Sequence, residues 1–441
     1  MAPRACRVWL INHYASPPDS SAGTRHYSIG RELVRRGMDV TIFAAGFDHA
    51  TSREERVHGW SLTRSQWFTG VRFVWLRTFP YRGNTWRRMV NMAGFALLLV
   101  LAQVRRPAPD VVVGSTVHPF AALAGWIIAK LRGARYVYEV RDLWPQTLID
   151  LGALQPNAAS ARLLRAIEAF LVRRAETIIT VLPGMSTYLD DRGLPSAHVR
   201  YLPNGVDLVA ADLATTSLGP TVQGNALSRL LSELGRRRES GEVVFAYAGA
   251  HGRVNRLEIV LAAFALANRR TRTPIHLLLV GDGPEKEALK QRANEIGLTN
   301  VTFADPVPKD KLPALLNAID VGVVHATATP IYRFGVSFNK VFDYMAARKP
   351  IVFACTAFND PIAASGGGRT VTPDDPGALA AAVISLAAAE PGERRRMGEA
   401  GRAYAELHHD LARIGAAFAE AVGCMDEPRG RSRGATGHSA T

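Results

Sequence analysis

Short apolar runs, each followed by an amphipathic stretch and then by another apolar run, recur along most of this 441-residue chain. Residues 8–11 (Val-Trp-Leu-Ile) read as a strand, 12–24 as a loop, about 25–36 as a helix stopped by Gly37, and 40–44 as the next strand. Strands joined by helical crossovers build a parallel sheet, and ligands gather at the carboxyl ends of its strands. The order continues through 111–113, 136–140 and 178–181 and on to 199–207. It restarts at 243–249, 276–280, 301–303 and 351–354. Residues 208–240 lack clear periodicity and read as a linker with a polar, basic insertion. The expectation is an α/β protein of two Rossmann-like units, 1–207 and 208–410, with a last amphipathic helix near 411–425 and a Gly-, Ser- and Arg-rich tail, 426–441, expected to be disordered. Neither unit carries G-x-G-x-x-G, which argues against a dinucleotide enzyme.

Composition narrows the class. Hydrophobic residues make 47% and charged ones 21%, the balance of a globular protein. Lys and Arg exceed Asp and Glu by 53 − 39 = 14, which favours anionic partners. Zinc-ligand spacing and aromatic-interleaved basic strands are missing, so nucleic acid is not expected. Cys6, Cys355 and Cys424 show no pairing pattern, and the start lacks a secretory leader's apolar centre. A reducing, cytoplasmic setting follows as the expectation.

Residues 60–88 are rich in Arg and Trp, and 89–102 are almost wholly apolar. The apolar run is shorter than the roughly 20 residues of a membrane span. It reads either as a buried helix or as one whose apolar side dips into a bilayer, with Trp86, Arg87, Arg88, Arg105 and Arg106 at headgroup level.

The stretch 331–352, IYRFGVSFNKVFDYMAARKPIV, carries the chemistry. A loop around Gly335, Val336 and Ser337 feeds a helix in which Val341, Phe342, Met345 and Ala346 share an apolar face. Loop amides and a helix N-terminus together favour an anion, and Lys340 adds a full charge. Asp343, one turn further, can accept hydrogen bonds from a diol such as ribose. Phosphate plus ribose describes a nucleotide.

Ser337, Asn339, Lys340, Phe342, Asp343, Tyr344, Met345, Ala346, Ala347, Lys349 and Pro350 make this stretch resemble the donor-binding motif of retaining glycosyltransferases of family four. It is most similar to a branch that includes bacterial L-fucosamine transferases of surface-polysaccharide and O-antigen synthesis. Residues 139–145 (E-V-R-D-L-W-P) and 203–207 (P-N-G-V-D) also match that branch. The resemblance, spanning roughly 8–421, implies the GT-B fold: two Rossmann-like domains facing across a cleft, with the last helix crossing back to the first. Where many relatives have two Glu separated by seven intervening residues, this chain has Gly335 and Asp343. Phe338 and Arg348 also depart from the branch, which has Pro and Gly there.

The resemblance further implies a UDP-sugar as donor substrate and no cofactor. Departure of the diphosphate leaves two negative charges to stabilise. Arg253 and Lys340 are the candidate cations, with the backbone of Gly23, Gly252, Gly335, Val336 and Ser337 near the phosphates and that of Gly281, Gly283 and Val307 near the base and ribose. Asp142, Glu139 and His118 are candidates for receiving the acceptor's proton. No D-x-D motif stands out, so metal-independent hexosyl transfer is expected, to a lipid-linked or saccharide acceptor and with an anionic membrane surface as a further partner. A UDP-sugar epimerase and a non-catalytic nucleotide-binding scaffold remain alternatives.

Overall fold

The computed structural model describes residues 4–20, 23–48, 53–81, 83, 86–104, 106–216 and 226–424. Ser21 and Ala22 of the loop 12–24, Arg105 and the tail 426–441 lie outside them. Strands β1 (Arg7–Ile11), β2 (Asp39–Ala45), β3 (Phe47–Asp48), β4 (Arg53–Glu54), β5 (Thr63–Phe68), β6 (Val71–Leu76), β7 (Val111–Thr116), β8 (Arg135–Val140), β9 (Thr177–Thr180) and β10 (Val199–Tyr201) belong to the first half. Eight of these form one sheet in the order β10-β9-β8-β7-β1-β2-β6-β5, and β3 pairs with β4 in a separate two-stranded sheet. Every pairing in the large sheet is parallel except β5 with β6. β11 (Val243–Ala248), β12 (Ile275–Val280), β13 (Val301–Ala304), β14 (Val321–His325), β15 (Ile351–Ala354) and β16 (Gly368–Val371) form a second sheet, wholly parallel, in the order β13-β12-β11-β14-β15-β16. Helices cover both faces of each sheet, so central strands such as 111–113 and 277–280 are apolar on both sides. This is the GT-B architecture.

The crossing between halves is a paired strap. Val206 N–H donates to His409 O at 2.9 Å and Leu411 N–H to Val206 O at 3.1 Å, so the outgoing and returning chains bond to each other. Beyond it, the helix Leu411–Ala421 lies on Arg25–Arg35, and its Leu411, Ile414 and Phe418 join the core that holds Ile29 and Leu33. A β-carbon on Gly415 would come within 2.4 Å of Glu32 Cβ, which explains a glycine at that crossing.

Two expectations need correction, and the Arg- and Trp-rich stretch 60–88, given no secondary structure above, gains one. Residues 63–76 form a β-hairpin whose turn, Thr69-Gly70, has positive φ at both positions, the geometry that matches strand twist. Within 208–240, residues Leu208–Thr216 and Ala226–Glu239 are helical. Leu227, Leu230, Leu231 and Leu234 repeat at helical spacing and pack on the second domain's core, a stripe masked by the surrounding Arg and Ser. Cys6 and Cys424 are joined by a disulfide 418 residues apart in sequence. Only the returning helix brings them together.

Candidate active site

The helix Asn339–Ala346 buries Val341, Phe342, Tyr344, Met345 and Ala346, the face anticipated from spacing. Tyr344 Oη donates to Ala246 O and accepts from Ala248 N–H, fixing the helix to β11. Phe342 stacks on His409 of the strap, with ring centroids 3.7 Å apart. Among the described residues no side chain caps the helix, and its first-turn amides of Asn339 and Lys340, like those of any helix, have no intrahelical acceptor. Gly23 of the first domain faces this terminus, since a β-carbon there would lie 3.1 Å from Asn339 Nδ2. The two domains therefore meet at the mouth of this helix.

Lys340 Nζ donates to Tyr247 Oη at 2.8 Å and lies 3.4 Å from Asn255 Oδ1, above the Tyr247 ring. Among the described residues no carboxylate comes within 4 Å of it. Burial pushes its ammonium down to about 7. Arg253 starts the short turn Arg253–Asn255 that ends in the same Asn255, but its guanidinium is 91% exposed and reaches Glu285 at 3.3 Å. The structure thus places both cations at one turn. Lys340 points inward and Arg253 outward.

Gly281 and Gly283 are required by close approach. β-Carbons there would stand 2.0 Å from Gly249 O and 2.5 Å from His251 O, because the 249–252 and 281–284 loops interlock. His251 N–H donates to Asp282 O and Glu285 N–H to His251 O. Gly252 itself is open, with nothing nearer to an added β-carbon than Asn255 Nδ2 at 4.0 Å. Val307 packs partly on the second core, and two residues later comes a group that the sequence did not suggest. Lys309 Nζ donates to both oxygens of Asp343 at 2.6 and 2.5 Å. Its own N–H donates to Ser20 O across the domain boundary. The carboxylate expected to grip ribose is held by a lysine.

The loop before the helix differs from expectation. Gly335 N–H donates to Tyr332 O, and Val336 exchanges two hydrogen bonds with the Asn359 side chain, at 2.7 and 2.9 Å. Those amides are spent inside the loop and cannot also hold phosphate. Ser337 Oγ and O both accept from Asn204 of the strap. Gly335 has φ +103°, and a β-carbon would fall 2.4 Å from Pro183 Cδ of the first domain. A Glu cannot stand there without parting the domains. The flanking turn Pro330–Phe334 plugs Ile331 and Phe334 into the first domain's core, Phe334 edge-on to Tyr188.

Two proton-acceptor candidates are corrected. Glu139 is fully buried between Arg25 (2.9 Å) and His26 (2.6 Å). Desolvation raises its carboxyl, but His26, Arg25 and Arg141 outweigh that and hold it well below the usual range. Asn12 Oδ1 accepts from Tyr14 N–H, so its Nδ2 donates to His26 Nδ1. His26 is then neutral, its Nε2–H donating to Glu139, in line with the lowering of its pKa by burial. His118 caps the helix Pro119–Arg132, accepting from Ala121 N–H, and is sealed beneath His13 and Phe95. Burial pushes its imidazole down to about 3. Neither side chain can meet an acceptor hydroxyl.

Asp142 can. It is exposed although protein surrounds it, the situation of a cleft floor, and desolvation raises its carboxyl above the usual range. Thr147 Oγ1 donates to it at 3.2 Å, and no ion pair forms with Arg141. One helix further on, Asp150 pairs with Arg333 of the second domain at 3.8 Å, which sets this segment at the boundary.

Fold and cleft together define a GT-B glycosyltransferase. Residues 21–205 match the glycosyl transferase 4-like domain and 242–389 the glycosyl transferases group 1 domain. The chain belongs to the family-four type of GT-B glycosyltransferases; no finding singles out the fucosamine branch. It is 26% identical over 324 residues to a putative colanic acid biosynthesis glycosyl transferase, WcaI, of Escherichia coli (strain K12), covering 72% of this chain and 75% of that protein. Among solved structures, sucrose-phosphate synthase from Thermosynechococcus elongatus superposes with a TM-score of 0.71 at 18% identity, covering 94% and 98% of the two chains. HepE of Anabaena, in complex with UDP and glucose, gives 0.64 at 15% identity, covering 95% and 100%.

Proposed function

We propose that this protein transfers a sugar of the hexosamine class from a UDP-sugar to a lipid-linked or saccharide acceptor in cell-surface polysaccharide or glycolipid synthesis, with retention of anomeric configuration and without a metal ion. The observation that carries the proposal is Lys340, a part-buried cation with only neutral acceptors, beside an uncapped helix N-terminus. Such a place lacks an anion. A diphosphate supplies one, and its charge grows as the glycosidic bond ionises, so fixed donors stabilise the transition state more than the ground state. Arg253, exposed at the rim, can swing inward as a bidentate partner. The UDP-bound neighbour and the polysaccharide role in the relative's name support the choice of donor and of pathway class.

Asp142 on the opposite wall orients or deprotonates the acceptor hydroxyl; its raised pKa fits a group that takes up a proton. Attack from the face the diphosphate leaves lets a departing phosphate oxygen share that proton. The setting is the cytoplasmic face of the plasma membrane, where lipid-linked acceptors are held. Radiolabelled transfer from a panel of UDP-sugars to membrane extract, with and without EDTA, tests the reading. A product of inverted configuration, or activity lost with EDTA and restored by Mg²⁺, would count against its mechanism. Sugar interconversion without transfer would replace it with epimerisation.

A further inference from the structure

The helix Trp86–Ala102 is apolar on two sides. Its inner face, with Met92, Phe95 and Leu99, packs into the first domain's core. Its outer face carries Trp86 (71% exposed), Met89, Val90, Leu97 (65%) and Leu101 (61%), and Val104 follows just past its end. At 100° per residue these six positions fall in one stripe, ~27 Å long at ~1.5 Å rise per residue. Exposed Phe79 widens it, lying against Gly94, where an added β-carbon would sit 3.3 Å from its ring. Soluble surfaces rarely leave such an area uncovered.

Charge identifies what covers it. From Arg56 to Pro109 the chain has nine Arg and neither Asp nor Glu. Exposed Arg87 lies over the Trp86 ring at one end of the stripe. At the other end Arg132 bonds the carbonyls of Gln103, Val104 and Arg106, bringing exposed Lys130 and Leu131 alongside. A second copy of this chain seated on the stripe would set cation against cation in either orientation. Apolar side chains flanked by cations suit an acidic phospholipid surface, which takes up both. No helix among the described residues is long and apolar enough to cross a membrane, so contact is in the interfacial plane.

We propose that the outer face of Trp86–Ala102, with Phe79, Val104, Lys130 and Leu131, is the surface on which the protein lies on a bilayer containing acidic phospholipid. The stripe begins at the cleft: Arg88 Nε donates to the hydroxyl of Tyr14, in the loop leaving β1. A bilayer seated here brings a lipid-linked acceptor to the entrance from the first-domain side. The inference stands apart from the donor chemistry, because the test needs no turnover.

Flotation of the full chain with phosphatidylglycerol–phosphatidylcholine vesicles, against phosphatidylcholine alone, reads the partition directly. The wild type floats with the acidic vesicles, less at high salt, and Leu97→Glu/Leu101→Glu lowers the partition about tenfold or more. Leu407→Glu, also exposed but on the second domain, leaves it unchanged. If the double variant loses its melting transition, Arg87→Glu/Lys130→Glu, which alters only exposed tips, must lower the partition instead. Absence of flotation at low salt, flotation indifferent to the stripe variants, or a dimer that Leu97→Glu/Leu101→Glu turns into a monomer would overturn the proposal.

Discussion

Glu139 and Lys340 are both charges drawn away from water, one in each domain, and the protein surrounds them differently. Glu139 has Arg25 and His26 on its two oxygens, and Arg25 continues to the carbonyls of Leu202 and Pro203 at the start of the strap. Lys340 has a phenol, an amide oxygen and a ring face, all neutral. A buried ion that is fully paired serves architecture, and removing one partner strands the other. A buried ion left without a counter-charge is a cost to folding, which selection tolerates where a ligand completes it. Both residues looked like candidates for chemistry, but only the second stands in an incomplete environment.

The contrast breaks if the two respond alike to substitution. Glu139→Gln leaves Arg25 buried without its counter-charge and should lower stability by about 3–5 kcal/mol. Denaturant unfolding measures that, and turnover per folded molecule should change little. Lys340→Met should do the reverse: kcat falls ~10²–10³-fold, about 2.7–4 kcal/mol in the barrier. Its melting temperature should hold or rise, because an uncompensated ammonium has gone. A Lys340→Met protein that unfolds early yet turns over normally would make the lysine architectural.

Gly335→Ala sharpens the comparison from the loop side. Its β-carbon meets Pro183 in a backbone conformation that side chains rarely adopt, so the change should cost about 1–3 kcal/mol. Restoring the family's Glu at that position should lower activity as well as stability, since the loop can then no longer seat against the first domain. Higher activity in Gly335→Glu would refute that account of the missing acid.

The titration of Lys340 follows from its missing partner. Held at about 7 in the free protein, it is half neutral there, and an incoming diphosphate draws it back to the charged form. UDP binding should therefore take up a proton between about pH 7 and the ordinary lysine range near 10.4. Affinity should weaken as pH rises through that window. Because the unfolded chain binds more protons across it, stability of the unliganded protein should rise with pH there. Calorimetry of UDP binding in two buffers of different ionisation heat reports the uptake; identical heats would show that Lys340 is already charged.

Much of the architecture was legible because parallel strands buried on both faces leave continuous apolar runs, and because 341, 342, 345 and 346 repeat at helical spacing. The hairpin at 63–76 was hidden by polar residues facing out of an edge strand, and its Thr-Gly turn is a weak signal. The helix at 226–239 was hidden by basic residues around four leucines. Within the site, groups on one segment could be read together: Lys340 and Asp343 on one helix, Gly281 and Gly283 in one turn. Groups brought by other segments could not. Asn204 reaches Ser337 across 133 positions, Asn359 holds Val336 across 23, and the spent amides of that loop follow from such partners. Glu139 and Asp142 lie three residues apart yet face a sealed network and an open cleft, a difference that only packing decides.

Lys309 gives the smallest expected effect and the finest test of the donor side. Its ammonium occupies both oxygens of Asp343, and its backbone touches Ser20 of the first domain. Ribose hydroxyls seeking the same carboxylate must displace that ammonium or share the carboxylate with it. A part-exposed pair of this kind is worth roughly 0.2–1 kcal/mol. Lys309→Ala should then lower KM for the donor by about 1.4–5-fold at unchanged kcat, the arithmetic of removing a weak competitor. Asp343→Ala, which removes the acceptor itself, should raise KM. If Lys309→Ala raises KM as well, the lysine moves onto the nucleotide once Asp343 is taken, and the pair is a hand-over and not a mask. Either shift requires Asp343 to meet the donor. KM unmoved in both variants would place the ribose elsewhere and leave Lys340 as the only residue of this helix that the donor touches.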